Sequence, residues 1–393
     1  MKCHLCDRSD TIMFLDLGKQ PLANKYPRKE DLKTEDFFPL QVFFCKNCKN
    51  VQLNTKISRE RMFKDYYYLS SVNSGLVRHF KKLAKKLVPC NFVLDIGSND
   101  GILLKPLKKL GIKAIGIDPS VNVSKIANDQ GLTTINSFFD SKAVKKIKNG
   151  FGKADAVVAS SVFTHLEEPH QFIEDVKKVM TDKGVFIVEV EYIGNILADV
   201  QFERFYLDRI FYYSLTSLSK LFSGHGMHIA DVEKIEPHGG SLRVFVRKNN
   251  LKSAPSKKVD RLLKEEENTL NPSRLKEFKR TVDAHLVAFQ NQLKKYKKDG
   301  LKVAGYGAPA RVATICNYGN IGPKLIKFII DDSPLKQNRF SPGTHIPIVP
   351  KNHLERHKPD VLVVFAYEYF KDIKKKTNGN YRYLMPIPPK EVS

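Results

Sequence analysis

The chain has 393 residues, more than one ordinary hydrophobic core accommodates, so two or three domains are expected. Hydrophobic residues make up 42% of it, enough to bury proper cores, yet no stretch approaches the ~20 consecutive apolar residues of a membrane-spanning helix, and no membrane partner is expected. The net charge of +24, from 66 Lys and Arg against 42 Asp and Glu, invites a nucleic-acid reading, but the lysines are scattered over helix-like stretches such as KKLAKKL and KAVKKIK, so they read as solvated faces and no nucleic-acid partner is expected.

The amino terminus, MKCHLCDRSD, lacks the apolar region of a signal peptide, and a cytoplasmic location is expected. Four of the six cysteines are paired in sequence: Cys3 and Cys6 in CHLC, Cys45 and Cys48 in CKNC. A CxxC turn presents two thiolates to one metal, so two such knuckles favour a closed, structural zinc site. The alternative is a pair of disulfides or free thiols, which suits a cytosolic chain less well. His4 reads as a bystander, and Cys90 and Cys316 as ordinary core residues. Residues 1–73 are thus expected to form a small zinc-binding module of short strands and loops, including the β-rich run FFPLQVFFC.

A basic helix is expected from about Ser74 to Leu87. Strand and helix patterns then alternate: NFVLDIG, GILLKPLKKLG, KAIGIDPS, VSKIANDQG, ADAVVASSV, EPHQFIEDVKKVM, GVFIVEVEY, SLTSLSKLFSGHG and SLRVFVRK. This spacing implies a doubly wound parallel sheet over residues 74–250. Helical period without strand character from about Lys252 to Lys298 predicts one or two connecting helices. The alternation restarts with LKVAGYGAPARVATICNYG, KLIKFIIDDSP and PDVLVVFAYEYF, so residues 251–393 read as a second Rossmann-like α/β domain.

The bend in VLDIGSNDGILL lies where open parallel sheets bind ligands, with Gly97 and Gly101 letting the backbone approach a guest closely. Its spacing is GxxxG, neither the GxGxxG of dinucleotide folds nor a P-loop. Asp95, Ser98 and Asn99 share the bend. Asp118, followed by Pro119, ends the next strand, where a carboxylate can accept hydrogen bonds from both hydroxyls of a ribose. An adenosine without phosphates fits better than a dinucleotide.

VLDIGSNDG, IGIDPS and SSVFTHLEEPHQFIEDVKKVMTDKGVFIVEVEY together resemble S-adenosylmethionine-dependent methyltransferases. With the CxxC pairs, YYYLSS, FYLDRIFYYSL, HGGSLRVFV, GYGAPARVATICNYG and DDSPLKQNRFSPGTHIPI the resemblance narrows to sugar C-methyltransferases acting on nucleotide-linked deoxysugars, and it covers nearly the whole chain. It implies an α/β fold of three parts: a zinc-binding module, a methyltransferase core, and a carboxyl-terminal domain that helps hold the nucleotide sugar. It also implies methyl transfer to the carbon beside a sugar 4-ketone. Making that carbon a nucleophile requires a base within hydrogen-bond reach.

The family supplies that base from a Tyr-His-Glu-His segment, where this chain has Tyr206, Leu207, Asp208 and Arg209. An arginine cannot be deprotonated at working pH. Asp208 or His165 could then act as base while Arg209 steadies an oxyanion. Alternatively the acceptor is a hydroxyl or amine of a related nucleotide sugar, or the protein binds the sugar nucleotide without catalysis. The likeness further implies donor contacts from Tyr68 and Ser70, and Ser161 belongs to the same cofactor edge. It implies substrate contacts from His238, Gly239, Gly240, Ser241 and Arg243 in HGGSLR, from Tyr306, Ala308 and Arg311 around the second glycine bend, and from Tyr367. Tyr367 and Glu368 stand where relatives tend to have Trp and Asn, which suggests an altered acceptor pocket. A monomer or weak homo-oligomer is expected.

Overall fold

A computed structural model describes residues 1–58, 62, 69–250 and 254–392. The amino-terminal segment forms an antiparallel sheet from Thr11–Pro21, Phe37–Cys45 and Val51–Leu53. Alternation along FFPLQVFFC buries Leu40, Val42 and Phe44, as the period of two requires. The fourth strand, Phe211–Tyr212, comes from far along the chain and pins the segment to the middle of the molecule.

The second sheet has the spatial order Met227–Ile235, Ser241–Lys248, Met180–Glu191, Ala154–Ser160, Phe92–Ile96, Lys113–Asp118 and Thr134–Asn136. The last five are parallel, and the hairpin at the other edge is antiparallel. Phe92–Ile96 is buried at every position, the signature of a strand covered on both faces. The chain leaves this strand towards Lys113–Asp118 and later returns on its other side with Ala154–Ser160. The crevice therefore opens at a topological switch point, just beyond the carboxyl ends of these strands.

The third sheet runs Arg339–Phe340, Pro347–Val349, Ile329–Ile330, Val303–Tyr306, Val361–Val364, Arg382–Pro386 and Pro389–Val392, parallel in its centre with an antiparallel strand at each edge. The strand expected along KLIKFIIDD is only Ile329–Ile330. The connecting segment forms the helices Lys257–Thr269 and Pro272–Lys298. Asn271 caps the second by accepting from Arg274 N at 3.0 Å, and Pro272 occupies its first turn, where a missing N–H costs nothing. Its stripe of Leu275, Phe278, Val282, Leu286, Phe289 and Leu293 joins Phe14 and Leu15 of the first sheet to Val303 and Ile329 of the third in one apolar cluster. No helix among the described residues is long and apolar enough to cross a membrane.

Candidate active site

The two cysteine knuckles converge. Cys3 Sγ lies 3.6 Å from Cys48 Sγ, Cys6 Sγ lies 3.6 Å from Cys45 Sγ, and all four sulfurs fall within 4.8 Å of one another. A tetrahedron with zinc–sulfur bonds of ~2.3 Å has edges of ~3.8 Å, so the donor set fits zinc and leaves no open position for catalysis. All six cysteines are free of disulfides, and Asn47 Nδ2 donates towards Cys6 Sγ at 3.4 Å, the kind of contact that orients a ligand. His4 stays out of the cluster, its backbone N–H donating to Gln52 Oε1. Cys316 is fully buried and Cys90 packs against a core cluster of the second domain.

A cleft of about 1950 Å³ is lined by residues from all three domains, roughly twice or more the size usual for one drug-sized ligand. At one end the backbone turns at Gly97, where φ is 73° and Gly97 N donates to Ile117 O at 2.8 Å. A Cβ there would lie 2.2 Å from Val162 Cγ2, so only glycine fits. Asn99 N donates to one oxygen of Asp118 and Ser120 N to the other, each at 2.9 Å. Each oxygen keeps further acceptor capacity, which suits a vicinal diol. Burial raises the Asp118 carboxyl's affinity for its proton despite those two amides. Asp95 is pushed well above the usual carboxylate range by burial and then by the charges of Asp118 and Glu189. A ligand cation beside it would reverse that shift.

The structure places Asp95, Gly97, Asn99, Asp118, Pro119, Ser70 and Ser161 on the cleft. Ser70 N donates to Asn99 Oδ1 at 3.0 Å. Ser98 and Gly101 do not line it; they pack behind the bend, Ser98 against Gly116 and Gly101 against Leu132. Tyr68 lies outside the described residues.

Glu189 and Glu191 alternate at the end of Met180–Glu191. Glu189 accepts from Ser160 Oγ at 2.6 Å and Arg243 Nε at 2.6 Å, and meets His79 Nε2 at 3.0 Å. Burial opposes its charge, but His79 and Arg243 prevail and bring its pKa down to about 2. Arg243 Nη1 also donates to Glu233 at 2.9 Å. Arg243 lines the cleft, but the structure gives it the role of bracing the wall rather than offering an uncommitted guanidinium to a substrate.

Glu191 pairs with Arg209, whose guanidinium lies 4.6 Å from the centre of the Tyr206 ring. His165 Nδ1 contacts the backbone oxygen of Asp208, and Asn24 Nδ2 donates to Asp208 Oδ2 at 2.6 Å. Burial, then Arg209, lowers the His165 pKa below 6.5, whereas burial raises that of Asp208. The three polar residues of the segment, Tyr206, Asp208 and Arg209, reach the cleft together with His165; Leu207 is fully buried in a neighbouring core.

His238, close enough to Glu191 and Arg209 to feel both charges, lines the cleft with a left-handed φ of 57°, beside Gly239, whereas Gly240 and Ser241 do not line it. Tyr306 and Arg311 line it, and the Tyr306 hydroxyl meets Asp332 at 3.1 Å. Ala308 sits behind, its N–H donating to Asp331 and its carbonyl accepting from Tyr26 and Lys336. Tyr367 also sits behind, donating to Glu203 at 2.6 Å under the guanidinium of Arg311.

Sequence reasoning missed Asn24, Glu189, Glu191, Glu203 and Arg204, all buried or half-buried around this cleft. Only the two strand glutamates carried a signal: acidic residues alternating inside an apolar run at a sheet's ligand edge.

Three family models match in tandem: a zinc binding domain over residues 3–63, a methyltransferase domain over 63–232 and a C-methyltransferase C-terminal domain over 236–388. The chain is similar to the C-methyltransferase NovU of Streptomyces niveus, 29% identical across 100% of this chain and 96% of that protein. It is also similar to the ubiquinone biosynthesis O-methyltransferase of Azorhizobium caulinodans, 26% identical over 30% of this chain and 49% of that one. Among solved structures, magnesium protoporphyrin IX methyltransferase from Synechocystis is 16% identical over 48% of this chain and 88% of its own, with a TM-score of 0.35. S-adenosylmethionine and zinc are the cofactors, with the Asp118 bend and the four cysteines as the sites whose chemistry fits them. With three domain models matched in order and a relative aligned from end to end, the chain is an S-adenosylmethionine-dependent methyltransferase that carries a zinc-binding domain, a methyltransferase domain and a C-methyltransferase C-terminal domain.

Proposed function

We propose that this C-methyltransferase acts on a nucleotide-linked deoxysugar and methylates the carbon beside a 4-keto group. The observation that supports the reading is the single cleft that runs from Asp118 to Tyr306 and Arg311, with His165, Tyr206, Asp208 and Arg209 also on its walls. It has room for a donor and a second, sizeable ligand.

Bound at the Asp118 bend, S-adenosylmethionine supplies a methyl group on a sulfonium. The chain's own residues then have separable tasks. The Asp208 carbonyl can only accept, so the proton of His165 resides on Nδ1 and Nε2 carries the lone pair. With its pKa below 6.5 the ring is neutral at pH 7, the form that removes a proton from the carbon beside a ketone. Arg209, held between Glu191 and the Tyr206 ring, supplies a fixed positive charge for the enolate oxygen. Asp208 is oriented by Asn24 and holds the histidine through its backbone.

Incubation with methyl-labelled donor and a panel of nucleotide-linked 4-keto sugars, with RNA as the contrasting acceptor, tests the reading. Label is expected in a sugar; label in RNA alone would overturn it.

A further inference from the structure

Arg204 and Arg311 come from different domains and meet on one carboxylate. Arg204 ends the short turn Phe202–Arg204, and Arg311 opens the helix Arg311–Tyr318 beyond the second glycine bend. Arg204 Nη2 donates to Glu368 Oε1 at 2.8 Å, and Arg311 Nη2 donates to Oε2 of the same side chain.

The three partners are not equally fixed. The side chains of Arg204 and Arg311 are 8% and 11% exposed, against 32% for Glu368. Arg204 is also held by Gln201, its Nε donating at 2.8 Å, and lies in a slot beneath Gly239, where a Cβ would come within 2.1 Å of Nη2. The Arg311 guanidinium stacks 4.3 Å from the centre of the Tyr367 ring. The arginines are wall, and the glutamate stands at the mouth. One carboxylate also leaves the set incomplete, because Arg311 Nη1 is buried without a hydrogen-bond partner. Two convergent forks with a spare donor match an anion with more oxygens than a carboxylate offers, and paired phosphates present such a set to arginine bidentately.

We propose that Arg204 and Arg311 are the receptor for the diphosphate of the acceptor, and that Glu368 is an internal stand-in which the diphosphate displaces. This rests on the nucleotide-sugar reading above. Displacement needs only rotation of the Glu368 side chain into solvent. A permanent tie between the two domains would use the same three residues, but removing the glutamate's charge has opposite consequences: a tie is weakened, whereas a receptor is unmasked.

Calorimetric titration of the full chain with UDP, with dTDP and with inorganic pyrophosphate, alongside S-adenosylhomocysteine, separates the two. Glu368→Gln is expected to bind a nucleoside diphosphate about tenfold more tightly, the gain when an internal competitor that leaves roughly a tenth of molecules competent is removed. Arg204→Gln and Arg311→Gln are expected to lose most of that binding, with S-adenosylhomocysteine affinity unchanged in all three. Where a Gln variant fails to fold, Arg311→Lys keeps the charge but not the fork and is expected to bind the diphosphate more weakly than wild type. Unchanged or weaker diphosphate binding in folded Glu368→Gln would overturn the proposal, as would an effect confined to S-adenosylhomocysteine. If wild type binds no nucleoside diphosphate and methylates no nucleotide sugar, the nucleotide-sugar reading itself falls, and the proposal with it.

Discussion

Glu191 and Arg209 form an ion pair inside the cleft wall, the carboxylate fully buried and the guanidinium 7% exposed. The arginine stands where the family resemblance places a histidine base, and Glu191 fixes it there as a permanent cation. Burial is the largest single influence and penalises the Glu191 charge, yet Arg209, His238 and His165 together outweigh that penalty and lower its pKa. Glu191→Gln is therefore expected to leave a buried guanidinium uncompensated. The loss of stability should be about 3–5 kcal/mol, read from urea denaturation. An unchanged midpoint would mean that the guanidinium finds another anion.

With arginine unable to serve as base, the proton is expected to go elsewhere; burial keeps both His165 and His238 neutral on the cleft, and His165 is the one whose Nδ1 meets the Asp208 carbonyl beside Arg209. Its folded-state pKa lies below 6.5, through burial and then Arg209. The basic form therefore persists as pH falls past 6.5, and the acid limb of the kcat profile is expected below that value. The same sign governs stability: the unfolded chain takes up this proton at a higher pH than the folded one, so His165 destabilises the fold increasingly below 6.5. His165→Gln is expected to lower kcat by about 10²–10⁴-fold while leaving donor affinity intact. A pH profile that keeps its acid limb in the variant would assign the base to another group.

Glu189 behaves in the opposite sense. Its pKa is brought down to about 2 from an ordinary 4.5, because His79 and Arg243 overcome the burial penalty. Its contribution, on the order of 3 kcal/mol for a shift of this size, is complete above pH 4.5 and is lost as pH falls from 4.5 towards 2. Thermal melts across that window should show wild type losing stability faster than Glu189→Gln, which is expected to be less stable at pH 7 and flatter in acid. Parallel curves would remove Glu189 from the acid response.

The cysteine cluster gives a prediction free of the chemistry in the cleft. Elemental analysis of protein purified under reductant is expected to find zinc, and Cys45→Ser should lower both zinc content and melting temperature. Because Phe211–Tyr212 completes the amino-terminal sheet and lies close in sequence to Arg209, a chelator that strips the metal is also expected to impair turnover. Zinc-free protein with an unchanged melting temperature would contradict a structural metal.

What could be read from the chain was local. The Gly97 bend, Asp118 at the end of its strand and the CxxC knuckles each declare themselves within a few residues, because one turn or one strand end creates their chemistry. Contacts made across the chain were silent. Asn24 reaches Asp208 across 184 positions, and Arg204 and Arg311 meet only on Glu368. Arg243 looked like a substrate contact beside HGGS, yet pairing of its strand with Met180–Glu191 sets it against Glu189. The strand Met227–Ile235 is hard to read from the sequence because its side chains, MHIADVEKI, are half polar, as an edge strand of the sheet allows. Thr134–Asn136 is too short to show a period, and the strand legible along KLIKFIIDD is cut to Ile329–Ile330.

The most direct test is to follow the methyl group itself, with carbon-13 in the donor methyl and nuclear magnetic resonance of the product formed from a nucleotide-linked 4-keto sugar. A methyl carbon coupled to a ring carbon, with loss of the proton beside the ketone, is the expected result. A methyl carbon bonded to oxygen or nitrogen, with that proton retained, would contradict transfer to carbon.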